Sequence, residues 1–102
     1  VVPLRVFENT LVGKRNCAIL VKDNLVELIT PKDKYFTLKE LQNCVEGYIE
    51  LAQPVLQNCL TVVNDEGLFL RLKPNKLMKK LFKVDLVGNV LITPAEIFEK
   101  PE

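Results

Sequence analysis

The stretch Tyr35-Phe-Thr-Leu-Lys-Glu-Leu-Gln-Asn-Cys-Val-Glu-Gly-Tyr-Ile-Glu50 decides how the rest of the chain is organised. Thr37 and Glu40 stand three residues apart, just ahead of an apolar run. That is the spacing of a capping box, in which the Thr hydroxyl accepts from the amide of Glu40 and the Glu carboxylate accepts from the amide of Thr37. Phe36 and Leu41 have the spacing of a hydrophobic staple across the same helix start. Leu38, Leu41 and Val45 form one apolar face. Together these signals predict a helix over about residues 38–46, ended by Gly47 in a left-handed conformation. Tyr48-Ile49-Glu50-Leu51 follows, alternating and β-prone, so a strand leaves the helix directly. A helix this short must lie on something, and the apolar strands on either side are the candidates.

Upstream, Leu4–Phe7 reads as a short strand and Glu8–Asn16 as a loop around Leu11-Val12. Cys17–Val21 is a continuous apolar run, a candidate central strand. Leu25–Ile29 returns across Asp23-Asn24, which predicts a hairpin with a two-residue loop. Downstream, Pro54 cannot donate to a ladder, so the strand before it ends there or lies at an edge. Gln57–Val63 is another strand. Asn64-Asp65-Glu66-Gly67 is a turn that uses Gly67 for its backbone, and Leu68–Leu72 completes a second hairpin. Asn75 caps a second helix over about residues 76–83, with Leu77, Met78, Leu81 and Phe82 inward and four lysines toward water. Val84–Val87 is extended, Gly88-Asn89 is a turn, and Val90–Ile92 is a last strand. Thr93-Pro94-Ala95-Glu96 has Thr at a cap, Pro at the first helical position and Glu at the third, so a short C-terminal helix follows. Strands dominate without βαβ alternation. The reading is one α+β domain over residues 1–102, with a largely antiparallel sheet of hairpins.

A chain of 102 residues buries roughly 60–70% of its unfolded surface, enough for one core without staples. A net charge of +1 gives no polyanion footprint, so no specific nucleic-acid partner is expected. No apolar run reaches the ~18 residues of a membrane helix. The opening Val1-Val2-Pro3 has no basic segment followed by a long apolar one, so a cytoplasmic location is expected. A start without Met fits a trimmed terminus, including a signal peptide removed before Val1. Cys17, Cys44 and Cys59 are odd in number, with no C-x-x-C and no histidine. They read as small buried thiols in a reducing compartment rather than as a disulfide framework or a zinc site.

The absence of histidine removes the usual triads and most metal sites. The glycines, at 13, 47, 67 and 88, belong to no phosphate loop or dinucleotide fingerprint. No catalytic residue, metal ligand or cofactor is assigned. Asp65 and Glu66 are adjacent carboxylates that could do acid–base work or hold Mg²⁺, but a solvated turn is the simpler account. The lysines around residues 76–83 could meet phosphates, though no aromatic platform is interleaved with them. Tyr48 and Glu50 share a strand face directed away from the core, and nothing local requires either to be aromatic or polar. The candidate binding residues are therefore Tyr48 and Glu50 first, then Asp65 and Glu66. Asn64 and Asn75 read as a turn former and a helix cap.

Leu41-Gln42, Val45-Glu46-Gly47-Tyr48-Ile49-Glu50, Val62-Val63-Asn64-Asp65-Glu66-Gly67, Pro74-Asn75 and Val87-Gly88-Asn89-Val90-Leu91-Ile92 occur in this order. This arrangement resembles the domain-of-unknown-function 3846 family over Cys17 to Ile92, with Val1–Asn16 as an N-terminal extension. The chain has Val45-Glu46 where the family carries a small residue before the Gly, and Asp65 where Glu is usual. The resemblance implies a bacterial, phage or mobile-element habitat and no particular mechanism. The expectation is a small non-enzymatic interaction module that binds an unidentified protein partner, with a sheet edge as the route to any oligomer. The alternatives are binding or sequestering of a nucleotide-like small ligand, or a minor hydrolase that uses carboxylates.

Overall fold

Two continuous apolar runs, around Ile19 and around Leu91, can be satisfied only where both faces of a strand are covered. They lie next to each other near the middle of one sheet. The computed structural model describes residues 16–98, in the order β1 (Ala18–Val21), β2 (Val26–Ile29), α1 (Leu38–Val45), β3 (Ile49–Ala52), β4 (Cys59–Asn64), α2 (Lys76–Phe82), β5 (Val90–Pro94) and α3 (Ala95–Phe98). The strand expected over Leu4–Phe7 and the loop around Leu11-Val12 lie outside the described residues. The sheet has the order β2-β1-β5-β4-β3, and every pairing is antiparallel. The fold is thus α+β with an antiparallel sheet. β1 and β5 are buried along their whole length, while β2 and β3 form the edges among the described residues.

The sheet is covered on both sides. Ala18, Leu20, Val62 and Leu91 face Phe36, Leu41 and Val45 around α1 and Ile97 of α3. Ile19, Val21, Val63 and Ile92 face Met78 of α2, with Leu77, Leu81 and Phe82 packed beside it. Alternation along each central strand sends successive side chains to opposite layers, so an unbroken apolar run feeds two cores at once.

The local signals of the opening stretch mostly hold. Thr37 Oγ1 accepts from the Glu40 amide at 3.1 Å, and Glu40 Oε1 accepts from the Thr37 amide at 2.9 Å. Backbone amides of Thr37 and Lys32 at the Glu40 carboxylate hold its pKa below the usual value. Phe36 and Leu41 are both buried in one cluster. Leu38, expected on the same face, is instead 59% exposed, because the helix meets the sheet through Leu41 and Val45. The left-handed residue at the helix end is Glu46 (φ 61°), not Gly47. Asp23-Asn24 closes the first hairpin as expected, with the Lys22 amide donating to the Leu25 carbonyl at 2.8 Å.

Three expectations are corrected. Leu68–Leu72 is not a strand, because both neighbours of β4 are already supplied by β3 and β5, and the chain after Asn64 closes into successive turns. Val84–Val87 is joined to the rest by a single bridge, Pro74 to Val87, and does not form a hairpin with β5. Thr93 and Pro94 belong to β5 rather than to a helix start. Both are buried, and α3 begins at Ala95.

Cys17 and Cys59 are buried and Cys44 is half-buried. Burial pushes the Cys44 thiol pKa up, and the nearby Glu40 and Glu27 charges add to that. Among the described residues, the Thr61 hydroxyl is buried with no hydrogen-bond partner. A buried hydroxyl left unpaired costs about 1–3 kcal/mol. Thr61→Val is therefore expected to raise stability by about 1 kcal/mol, read as a higher midpoint in urea with an unchanged slope.

Candidate functional site

The site begins with how β4 ends. Asn64 is 6% exposed. Its Nδ2 donates to the carbonyls of Val45 at 3.1 Å and Glu46 at 3.3 Å, and its Oδ1 accepts from the Glu66 amide at 2.7 Å. Asn89 Nδ2 donates to the Cys44 carbonyl at 3.1 Å. The last carbonyls of a helix lack partners within it, and here asparagines distant in sequence, at the end of β4 and just before β5, supply them. The side chain of Asn64 also starts a turn of its own backbone. The Leu70 amide then donates to the Glu66 carbonyl at 2.8 Å, and the Leu72 amide to the Gly67 carbonyl at 3.0 Å. Gly67 serves close approach rather than backbone conformation, since a Cβ there would lie 2.7 Å from Val87 Cγ2. At the tip of these turns Leu68 and Phe69 are each 83% exposed.

Beside this tip runs β3. It pairs with β4 in the register Ile49 with Asn64, Glu50 with Val63 and Leu51 with Val62. The Asp65 amide donates to the Tyr48 carbonyl at 2.8 Å, so Tyr48 and Asp65 extend that register as a hydrogen-bonded pair. Bonded and non-bonded pairs alternate in an antiparallel ladder. Glu50 and Ala52 therefore aim their backbone groups at β4, and Ile49 and Leu51 aim theirs at the edge that is open among the described residues. Pro54 follows just after this edge strand, where a missing donor does no harm. Leu51 is 51% exposed.

Between β3 and the turn tip lies a concavity of about 450 Å³. Glu50, Asp65 and Asp85 line it with Leu68 and Phe69, and no lysine or arginine does. Lys79 Nζ lies 3.1 Å from Asp85 Oδ1. Among the described residues Glu50 and Asp65 have no ion-pair partner. A neighbouring hollow of about 460 Å³ carries Lys76, Lys79 and Lys80, and shares Leu68, Asp85 and Leu86 with the first.

Of the four residues picked from the sequence, the structure brings Glu50 and Asp65 into one concavity. Tyr48 does not share Glu50's surroundings. It precedes β3, is 67% exposed and lines a separate hollow with Gln42, Asn43 and Glu46. Glu66 is exposed on the turn and lines none of these hollows. Asn64 and Asn75 spend their side chains on backbone groups. Sequence reasoning missed Leu68, Phe69 and Asp85. The run Leu68-Phe69-Leu70 carried a usable signal, since it follows a turn and does not alternate as a half-buried strand should. Asp85 had none, because it joins the site only through the bridge between Pro74 and Val87. Among the described residues no three acidic or cysteine side chains are grouped to hold a metal ion, and no helix is long and apolar enough to cross a membrane.

No curated protein and no solved structure matches the chain. Residues 17–98, from the residue before β1 to the end of α3, match the family described as domain of unknown function (DUF3846), and the chain belongs to that family.

Proposed function

We propose that this chain is a small, non-catalytic binding module that takes an extended segment of a protein partner along the open edge of β3. The observation that carries the reading is one juxtaposition. The outward backbone groups of Ile49 and Leu51 run beside the exposed side chains of Leu68 and Phe69. An edge strand offers a row of backbone donors and acceptors, and adjacent apolar side chains add specificity. The adjacent exposed apolar side chains at the turn tip support a contact surface there. Asp65 and Glu66, the pair a carboxylate-dependent hydrolase would need, do not converge on one hollow, which favours binding over turnover. The family resemblance supports a bacterial, phage or mobile-element setting, with a cytoplasmic location as part of the same proposal.

Two variants test it. Leu51→Pro removes one outward donor and leaves the bonds to β4, which come from its neighbours. Phe69→Asp changes an exposed tip. Each is expected to keep its melting temperature within about 3 °C of the parent. A host protein retained by the parent is expected to be lost by both variants, with the Ile49 and Leu51 amides slowed in hydrogen exchange when it is bound. Retention of the same protein by both variants would overturn the proposal.

A further inference from the structure

The two edges of the sheet differ in charge. On β2, Glu27 is neutralised by Lys22 at 3.0 Å. On β3, Glu50 and Asp65 stand without a counter-ion among the described residues, while Asp85 lines the same concavity but is paired with Lys79 at 3.1 Å. The whole chain carries only +1, so this is a local concentration of negative charge beside an open ladder and not a property of the molecule at large. The lysines of α2 line the next hollow, beyond Leu86.

A strand added beside β3 alternates its side chains between the two layers, and each lies next to its cross-strand neighbour. On the α1 side those neighbours are Ile49 and Leu51, which are apolar. On the α2 side they are Glu50 and Ala52, with Asp65 and Asp85 around the same concavity. We infer that the partner segment bound along β3 is a cationic strand, with lysine or arginine at alternate positions facing Glu50 and Asp65 and aliphatic residues between them. This rests on the binding mode proposed above and names the chemistry of its ligand. A second copy of this chain fits poorly, because pairing β3 with itself sets Glu50 near its own copy, and like charges across strands are destabilising.

The probes are two dye-labelled hexapeptides with capped ends, Val-Lys repeated three times and Val-Glu repeated three times, followed by fluorescence anisotropy with the whole chain. The expected result in low salt is at least a tenfold preference for the lysine peptide, shrinking as salt rises. The double variant Glu50→Gln with Asp65→Asn is expected to erase the preference, since both groups are surface carboxylates. Leu51→Pro is expected to weaken both peptides, and binding of the lysine peptide should slow exchange at the Ile49 and Leu51 amides. Equal binding of the two peptides with those amides protected would overturn the charge inference and leave the edge reading standing. A preference that survives the double variant would also overturn it. Binding of neither peptide, or a dimer in sedimentation that the lysine peptide does not dissociate, would overturn both.

Discussion

Asn75→Ala is expected to lower stability by about 3 kcal/mol and the melting temperature by roughly 15 °C. Asn75 is 2% exposed. Its Oδ1 accepts from the Met78 amide at 2.9 Å, which caps α2. Its Nδ2 donates to the Val21 carbonyl at 2.8 Å and to the Gly88 carbonyl at 2.9 Å. The cap alone accounts for about 1 kcal/mol. Loss of the two Nδ2 bonds, to the buried Val21 carbonyl and the part-buried Gly88 carbonyl, adds about 1 kcal/mol each. Asn75→Asp separates these contributions, since it keeps the cap acceptor but sets a carboxylate against two carbonyls. It should destabilise at least as much as the alanine. Urea unfolding of both variants decides the matter, and a loss below about 1 kcal/mol in Asn75→Ala would reduce the residue to an ordinary helix cap.

Gly47→Ala is expected to cost about 2 kcal/mol, and to cost almost nothing in an Asn64→Ala background. The backbone at Gly47 is not in the left-handed region, so conformation does not demand glycine. Space does, because a Cβ there would lie 2.6 Å from Asn64 Nδ2. The methyl group would drive out the amide that closes the end of α1 and leave the carbonyls of Val45 and Glu46 unpaired. Once Asn64 is alanine that amide is gone and there is nothing left to displace. The cycle should therefore show a coupling of about 2 kcal/mol, whereas independent effects would add. Simple additivity would return the requirement at Gly47 to the helix-end conformation, which the structure assigns to Glu46.

The candidate surface was half legible. Glu50 was suspected because no local need explains a carboxylate there, and Asp65 as one of two adjacent carboxylates on a turn; a single strand register brings them to one concavity. Tyr48 was grouped with Glu50 on strand alternation, yet it lines a separate hollow with Gln42, Asn43 and Glu46 at the end of α1. Phe69 was read only as part of a strand over Leu68–Leu72, and its exposure at a tip came from the turns that Asn64 starts.

The sequence by itself determined whatever is decided within about four residues. The capping box of α1, the Asn75 cap of α2 and the Asp23-Asn24 hairpin are contests between neighbouring backbone groups and short side chains, and each was settled in the reading frame. The tertiary structure alone decided the strand order. Val90–Pro94 enters between β1 and β4, and every candidate neighbour of a strand offers the same backbone donors and acceptors. Choice among them came from burying two apolar faces of β1 and β5 at once, a condition on the whole sheet. That choice pushed β3 to the edge and denied Leu68–Leu72 a partner, and so created the surface on which the proposed function rests.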